Sequence, residues 1–121
     1  MENYVTRFIG KEIGINIDRP IGSKHPKYGF VYGVNYGFVP DTKAPDGEEI
    51  DAYLIGIDYP VEKYTGKCIA VVHRTNDRDD KLIIIPSSVE NVSNEDIIKA
   101  VDFQERFFKS EIIRRGWTKM Q

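Results

Sequence analysis

The chain has 121 residues, 40% of them apolar and 30% charged, with a formal net charge of −2. That size and balance describe one globular domain that buries about two thirds of its unfolded surface without disulfide staples. The near-neutral charge excludes a general attraction to nucleic acid or to an acidic membrane surface.

The first residues lack a basic-then-apolar signal segment, and no apolar run approaches the roughly 20 residues that span a bilayer. The single cysteine, Cys68, has no partner for an internal disulfide and sits in the apolar stretch CIAVV, where it reads as a buried thiol. These features lead to the expectation of one domain, residues 1–121, in the reducing cytoplasm.

In chain order, EIGINID places Ile13, Ile15 and Ile17 on one face, the alternation of a half-buried strand. GFVYGVNYGFV is aromatic and β-branched but punctuated by Gly29, Gly33 and Gly37, which suits bulges or tight bends in a curved sheet. AYLIGI, KCIAVVHRT and KLIIIP read as three further strands, with DYPVEKYTG as a turn-like connection between the first two. From Ser93 the period changes. Ile97, Val101, Phe108 and Ile112 recur at helical spacing, with Ser93 as N-cap, Asp96 completing a capping box and Gly116 as the stop. The expected architecture is mainly β with a C-terminal α-helix: five strands in a closed or nearly closed barrel, with the helix packed on it.

Three stretches carry candidate chemistry. PDGEEID sets four carboxylates within residues 45–51, and Gly47 permits a turn tight enough for Asp46, Glu48 and Asp51 to converge. Converging carboxylates are tolerated around a hard cation, and oxygen-only ligands favour Mg²⁺, Ca²⁺ or Mn²⁺ over zinc. By itself the stretch reads more readily as a solvated acidic turn. HRTNDRDDKL supplies Asp77, Asp79 and Asp80 as further oxygen ligands and Lys81 as a cation, or else forms a charged hairpin. SKHPKYGFVYGVNYGF mixes Lys24 and Lys27 with Tyr28, Tyr32 and Tyr36, a set suited to phosphate oxygens when acidic clusters lie nearby. His25 and His73 have no ligand-spaced partner, which argues against zinc.

NYGFVPDTKAPDGEEIDAYLIGI resembles the signature region of the family I soluble inorganic pyrophosphatases, whose motif sets aspartates as D-G-D-P-x-D after an N-Y-G-[FY]-[VI] strand. INIDRP, DDKLIIIP and FQERFFKSEI are similar, in the same order, to the family's early strand, its Asp-x-Lys strand and its C-terminal helix. The resemblance implies an OB-like five-stranded β-barrel and hydrolysis of pyrophosphate to two orthophosphates by metal-activated water. It also implies two or more Mg²⁺ ions and a homo-oligomer. Residue by residue, it implies Asp46, Asp51 and Asp79 as metal ligands, joined by Asp77 or Asn76, and Glu48 at the position that activates water. Lys27, Tyr36, Lys81 and Lys109 match groups that hold phosphate, with Tyr32 in the same shell.

The chain also departs from the family pattern. Glu48 is one methylene longer than the family's aspartate, Glu49 replaces a proline, and the phosphate-binding arginine and its hairpin have no counterpart. These departures keep two other readings open, a hydrolase of a larger phosphoanhydride such as a nucleotide and a silent barrel that binds a phosphate-bearing ligand.

Overall fold

The five strands read from the pattern close on one another. A computed structural model describes residues 5–76 and 79–114. A short 3₁₀ turn at Thr6–Phe8 precedes β1 (Glu12–Arg19), β2 (Asn35–Val39), β3 (Ile50–Leu54), β4 (Lys63–Arg74), β5 (Lys81–Ile85), α1 (Asn94–Glu105) and β6 (Ser110–Ile113). The sheet runs β1-β2-β3-β5-β4-β6, and β1 also pairs with β4, so the first five strands form a closed barrel with β6 added outside it. All pairings are antiparallel except β3 with β5.

β4 makes closure possible. Its first half, Lys63–Lys67, pairs with β1, and its second half pairs with β5 across a register shift between Cys68 and Ala70. Such a shift bends a strand and increases its twist, which a small barrel requires. KYTG is therefore the start of this strand and not part of the preceding turn. Of the glycine-punctuated stretch, only Asn35–Val39 is strand, while Lys24 and Val31 form an isolated bridge. Gly29 turns with φ 78°, whereas Gly37 serves close approach: a Cβ there would lie 1.8 Å from the Asn16 carbonyl oxygen of β1.

Two apolar clusters lie on the two faces of the barrel wall. One draws on all five strands, through Ile15, Val39, Leu54, Val71 and Leu82, and fills the interior. Cys68 belongs to it, fully buried, its thiol pushed up to about 11 by burial. The other joins Tyr36, Tyr53, Val72, Ile83 and Ile85 to Ile97 and Val101 of α1. KLIII is buried along its whole length because one face looks inward and the other lies under the helix.

Ser93 caps α1 as expected, its hydroxyl accepting from the Asp96 N–H. The helix is shorter than its pattern suggested. It stops at Glu105, and Phe108 and Ile112 lie beyond it, while Gly116 falls outside the described residues. Ser110–Ile113 instead pairs with Val71–Arg74, satisfying the backbone of β4 on its outer edge. Paired Ile112 and Ile113 favour such a strand. No helix among the described residues is long and apolar enough to cross a membrane.

The Gly37 contact makes a stability prediction. Gly37→Ala should lower unfolding stability by at least about 3 kcal/mol, because backbone of β1 must move to admit the methyl. Gly14→Ala, whose Cβ meets only the Thr65 hydroxyl at 3.5 Å, should stay within about 1 kcal/mol of the parent. Urea unfolding followed by circular dichroism measures both.

Candidate active site

Strand alternation decides which side chains face α1. In β3 and β5, Asp51, Tyr53, Lys81, Ile83 and Ile85 point to the helix-covered side of the wall, and the parallel register sets Asp51 opposite Lys81. The Lys81 ammonium is buried and bridges two carboxylates, 2.7 Å from Asp51 Oδ2 and 2.8 Å from Asp79 Oδ2. It also lies 5.3 Å from the centroid of the Tyr36 ring, within cation–π range.

Tyr36 pairs with Tyr53 across β2 and β3. Burial raises the Tyr36 phenol well above its ordinary pKa, reinforced by the charges of Asp51 and Asp79, so it remains a neutral hydrogen-bonding group beside Asp51. Burial likewise raises the Asp51 carboxyl, against the opposing pull of Lys81.

These groups form the floor of a cavity of about 790 Å³. Arg19, Arg74 and Tyr32 line its sides, and His25, Tyr28, Phe30 and Phe107 form an outer aromatic wall. Burial raises the Tyr32 phenol, with Arg19 beside it as a hydrogen-bond partner.

Arg74, at the end of β4, is buried. Its Nε and Nη2 donate to the two carboxylate oxygens of Glu105 at 3.0 and 2.7 Å, and its guanidinium stacks 3.6 Å from the Phe108 ring centroid. Burial opposes the charge, but the Glu105 bonds hold the guanidinium firmly protonated. Glu105 also accepts from the Tyr53 hydroxyl at 2.7 Å, and Gln104 donates to that hydroxyl at 2.7 Å. Arg74 Nη1 lies 3.6 Å from Asp79 Oδ2, which joins this network to the Lys81 bridge.

Of the residues singled out from the sequence, His25, Tyr28, Tyr32, Tyr36, Asp51, Asp79 and Lys81 line this one cavity. Asp46, Glu48, Lys27 and Lys109 do not, and Asp77 lies outside the described residues. Asp46 and Glu48 occupy an exposed loop where Asp46 Oδ1 accepts the Glu48 N–H at 3.0 Å. This side-chain turn closes Asp46 onto its own loop. Lys27 is exposed with its ammonium 5.4 Å from the Tyr28 ring centroid. Lys109 engages Thr75 and Asn76 through its backbone and leaves its side chain exposed. Asp80 differs in role from its neighbour, bonding the Arg74 N–H and the His73 ring at 3.0 and 2.9 Å.

Sequence reasoning overlooked Arg19, Arg74, Gln104 and Glu105. A signal was present for the last two. They lie three and four residues beyond Val101, polar groups on the stripe that the helix buries.

Among the described residues, no three His, Cys, Asp or Glu side chains converge as a metal-holding group. Asp51 and Asp79 nevertheless fit a hard divalent cation, since Mg²⁺ is commonly held by one or two carboxylates, with waters and substrate phosphates completing its shell. Both already aim oxygens at a single positive charge.

Comparison with known proteins gives a consistent result. Residues 13–114 match the family model described as inorganic pyrophosphatase. A Pseudomonas aeruginosa protein of that name is 29% identical over 104 residues, covering 74% of this chain and 59% of the relative. A Rickettsia prowazekii protein of the same name is 28% identical over 123 residues, covering 84% of this chain and 71% of the relative. The chain thus spans less than two thirds of the Pseudomonas relative. Among solved structures, the Helicobacter pylori inorganic pyrophosphatase superposes with a TM-score of 0.66 at 19% identity, covering 85% of this chain and 84% of that one. The Ehrlichia chaffeensis inorganic pyrophosphatase gives 0.65 at 19% identity, with 85% of each chain covered.

The Arg74 network predicts a contrast between two ion pairs. Glu105→Ala should cost about 3–5 kcal/mol, because it strips a buried guanidinium of its main partner. Asp102→Ala breaks the exposed pair to Arg106 at 2.7 Å and should cost only about 0.3–0.5 kcal/mol. Urea denaturation of the two variants checks the difference.

Proposed function

The chain belongs to the inorganic pyrophosphatase family, and from that membership we propose that it hydrolyses pyrophosphate to two orthophosphates at the cavity floor. One observation carries the reading: two carboxylates on different segments are held to one buried lysine in a cavity also lined by arginine and tyrosine. Asp51 and Asp79 would hold Mg²⁺, or Mn²⁺, which accepts the same oxygen ligands. Bound there, the ion lowers the pKa of water and neutralises the phosphoryl groups. The sequence resemblance implies a second ion as well.

The other roles belong to the chain. Lys81 and Arg19 supply positive charge to phosphate oxygens, and burial strengthens the Lys81 contribution. Tyr36, kept neutral, donates or relays a hydrogen bond beside Asp51. Arg74 is committed to Glu105 and positions Asp79. Asp46 and Glu48, on the loop that leads into β3, act through the water shell of the ion, and Lys27 and Lys109 add positive charge outside the cavity. The reading includes a cytoplasmic protein of single-domain subunits that assembles as a homo-oligomer.

Orthophosphate release from pyrophosphate in the presence of Mg²⁺ tests the proposal. Turnover should appear with Mg²⁺ and vanish with chelator. Asp51→Asn, Asp79→Asn and Lys81→Met should each lower it by about 10²–10³, and Asp46→Asn by a smaller factor of about 10–100. Circular dichroism should show all four folded. A folded parent protein without metal-dependent turnover overturns the assignment.

A further inference from the structure

Pyrophosphate is only two phosphoryl groups joined by one oxygen, and Asp51, Asp79 and Lys81 span the floor it needs. The cavity is far larger. Its volume of about 790 Å³ falls in the range of roughly 300–1,000 Å³ that houses much bulkier organic ligands. The additional space is bordered largely by rings, with Asp18 and Arg19 beside them. From the floor outward, Tyr36 contacts Tyr32 with centroids 5.5 Å apart, Tyr32 contacts Phe30 at 5.5 Å, and Phe30 lies nearly parallel to Phe107 at 6.0 Å. His25 meets Tyr28 at 4.8 Å and Phe30 at 4.9 Å. At the rim, Tyr28 and Phe107 are 68% and 62% exposed.

We infer that this wall binds the base of a nucleoside diphosphate, making a nucleoside phosphoanhydride the organic substrate of the same site. The inference rests on the function proposed above, because the diphosphate lies on the same floor. A nucleoside diphosphate is pyrophosphate esterified at one end, so the reacting unit is unchanged. The oxygen of water bonds to the terminal phosphorus as the bridging P–O bond breaks. Nucleoside monophosphate and orthophosphate leave, and the proton of the water passes to solvent.

The choice of a base over an alkyl chain follows from exposure. A prenyl chain gains only by leaving water, and rings this open to solvent do not enclose one. A nucleobase stacks on an exposed ring while its polar edge stays hydrated. Arg19 at the side of the cavity adds a polar contact suited to a ribose or a base edge. Phe107, stacked on Phe30 by one face and 62% exposed, presents a flat surface to a planar ligand.

The test compares ADP, methyl diphosphate, dimethylallyl diphosphate and pyrophosphate as substrates of the full chain with Mg²⁺. Binding of ADP and methyl diphosphate is also measured by calorimetry in the presence of Ca²⁺. ADP should have a kcat/KM about tenfold or more above methyl diphosphate, which carries the same anhydride without a base. Tyr28→Ala and Phe107→Ala should each lower the ratio of kcat/KM for ADP over pyrophosphate by about tenfold, mainly through KM, and Tyr28→Phe should restore it.

Equal use of ADP and methyl diphosphate overturns the inference, as does an unchanged ratio in the variants. Preference for dimethylallyl diphosphate over ADP also overturns it, by assigning the wall to a prenyl chain. If no substrate is turned over, the hydrolase reading fails while the wall is still judged by calorimetry: tighter ADP binding that weakens in Tyr28→Ala supports it, and equal binding of the two diphosphates overturns it.

Discussion

A lysine ammonium almost wholly withdrawn from water, Lys81 at the start of β5, is the constraint around which the site is built. Removing such a charge from solvent costs several kcal/mol unless partners answer it. Asp51 and Asp79 answer it from two directions. Asp51 reaches it because the parallel pairing of β3 and β5 sets their Cα positions side by side. A slip of one residue in β5 would turn Lys81 into the apolar interior and Leu82 out toward the helix. The ion bridge and the barrel register therefore enforce one another. The groups that carry the proposed chemistry also make the wrong pairing expensive.

The bridge does not end at Lys81. Asp79 lies near Arg74, Arg74 is gripped by Glu105, and Glu105 takes the Tyr53 hydroxyl that Gln104 also contacts. This run of polar contacts connects β3, β5, the end of β4 and the last turn of α1. The helix is thereby fixed on the barrel by Ile97 and Val101 in its first turns and by a polar clamp at its end. Apolar packing sets how closely the helix lies and tolerates small shifts. The forked Arg74–Glu105 pair is directional and fixes its orientation. That orientation positions Phe107 and Phe108, which follow the helix directly, at the side of the cavity.

The strands were legible because their signal is local. Alternating isoleucines in β1 and the unbroken apolar run of β5 reflect burial on one face and on two. The end of α1 was misread because Phe108 and Ile112 keep helical spacing by coincidence, while the unpaired edge of β4, a distant feature, decides what that segment does. The site divided along the same line. Asp51, Asp79 and Lys81 were visible through their resemblance to an ordered motif. Arg74 and Glu105 look like surface charges in sequence and become buried only when β4 and α1 meet. Asp46 and Glu48 were read as converging with Asp51 because Gly47 permits a tight turn. The turn forms, but its hydrogen bond closes Asp46 onto its own loop.

The charge balance of the floor determines what it can bind. Lys81 and Arg74 are answered by Asp51, Asp79 and Glu105, which leaves one net negative charge among these five groups, and Arg19 at the side is offset by Asp18, which lines the same cavity. A pocket of net negative charge has no Coulombic reason to admit a multiply charged diphosphate, and its carboxylates repel it. A divalent cation held by Asp51 and Asp79 would offset that charge and leave Lys81 and Arg19 as positive groups for phosphate oxygens. On the proposed reading the metal would be an electrostatic condition for substrate entry as well as a source of activated water. The aromatic wall obeys different physics, because stacking on Tyr28 or Phe107 depends on ring area and hardly on charge. Affinity for the organic half of a substrate can therefore vary through the rim while the floor and its chemistry stay as they are.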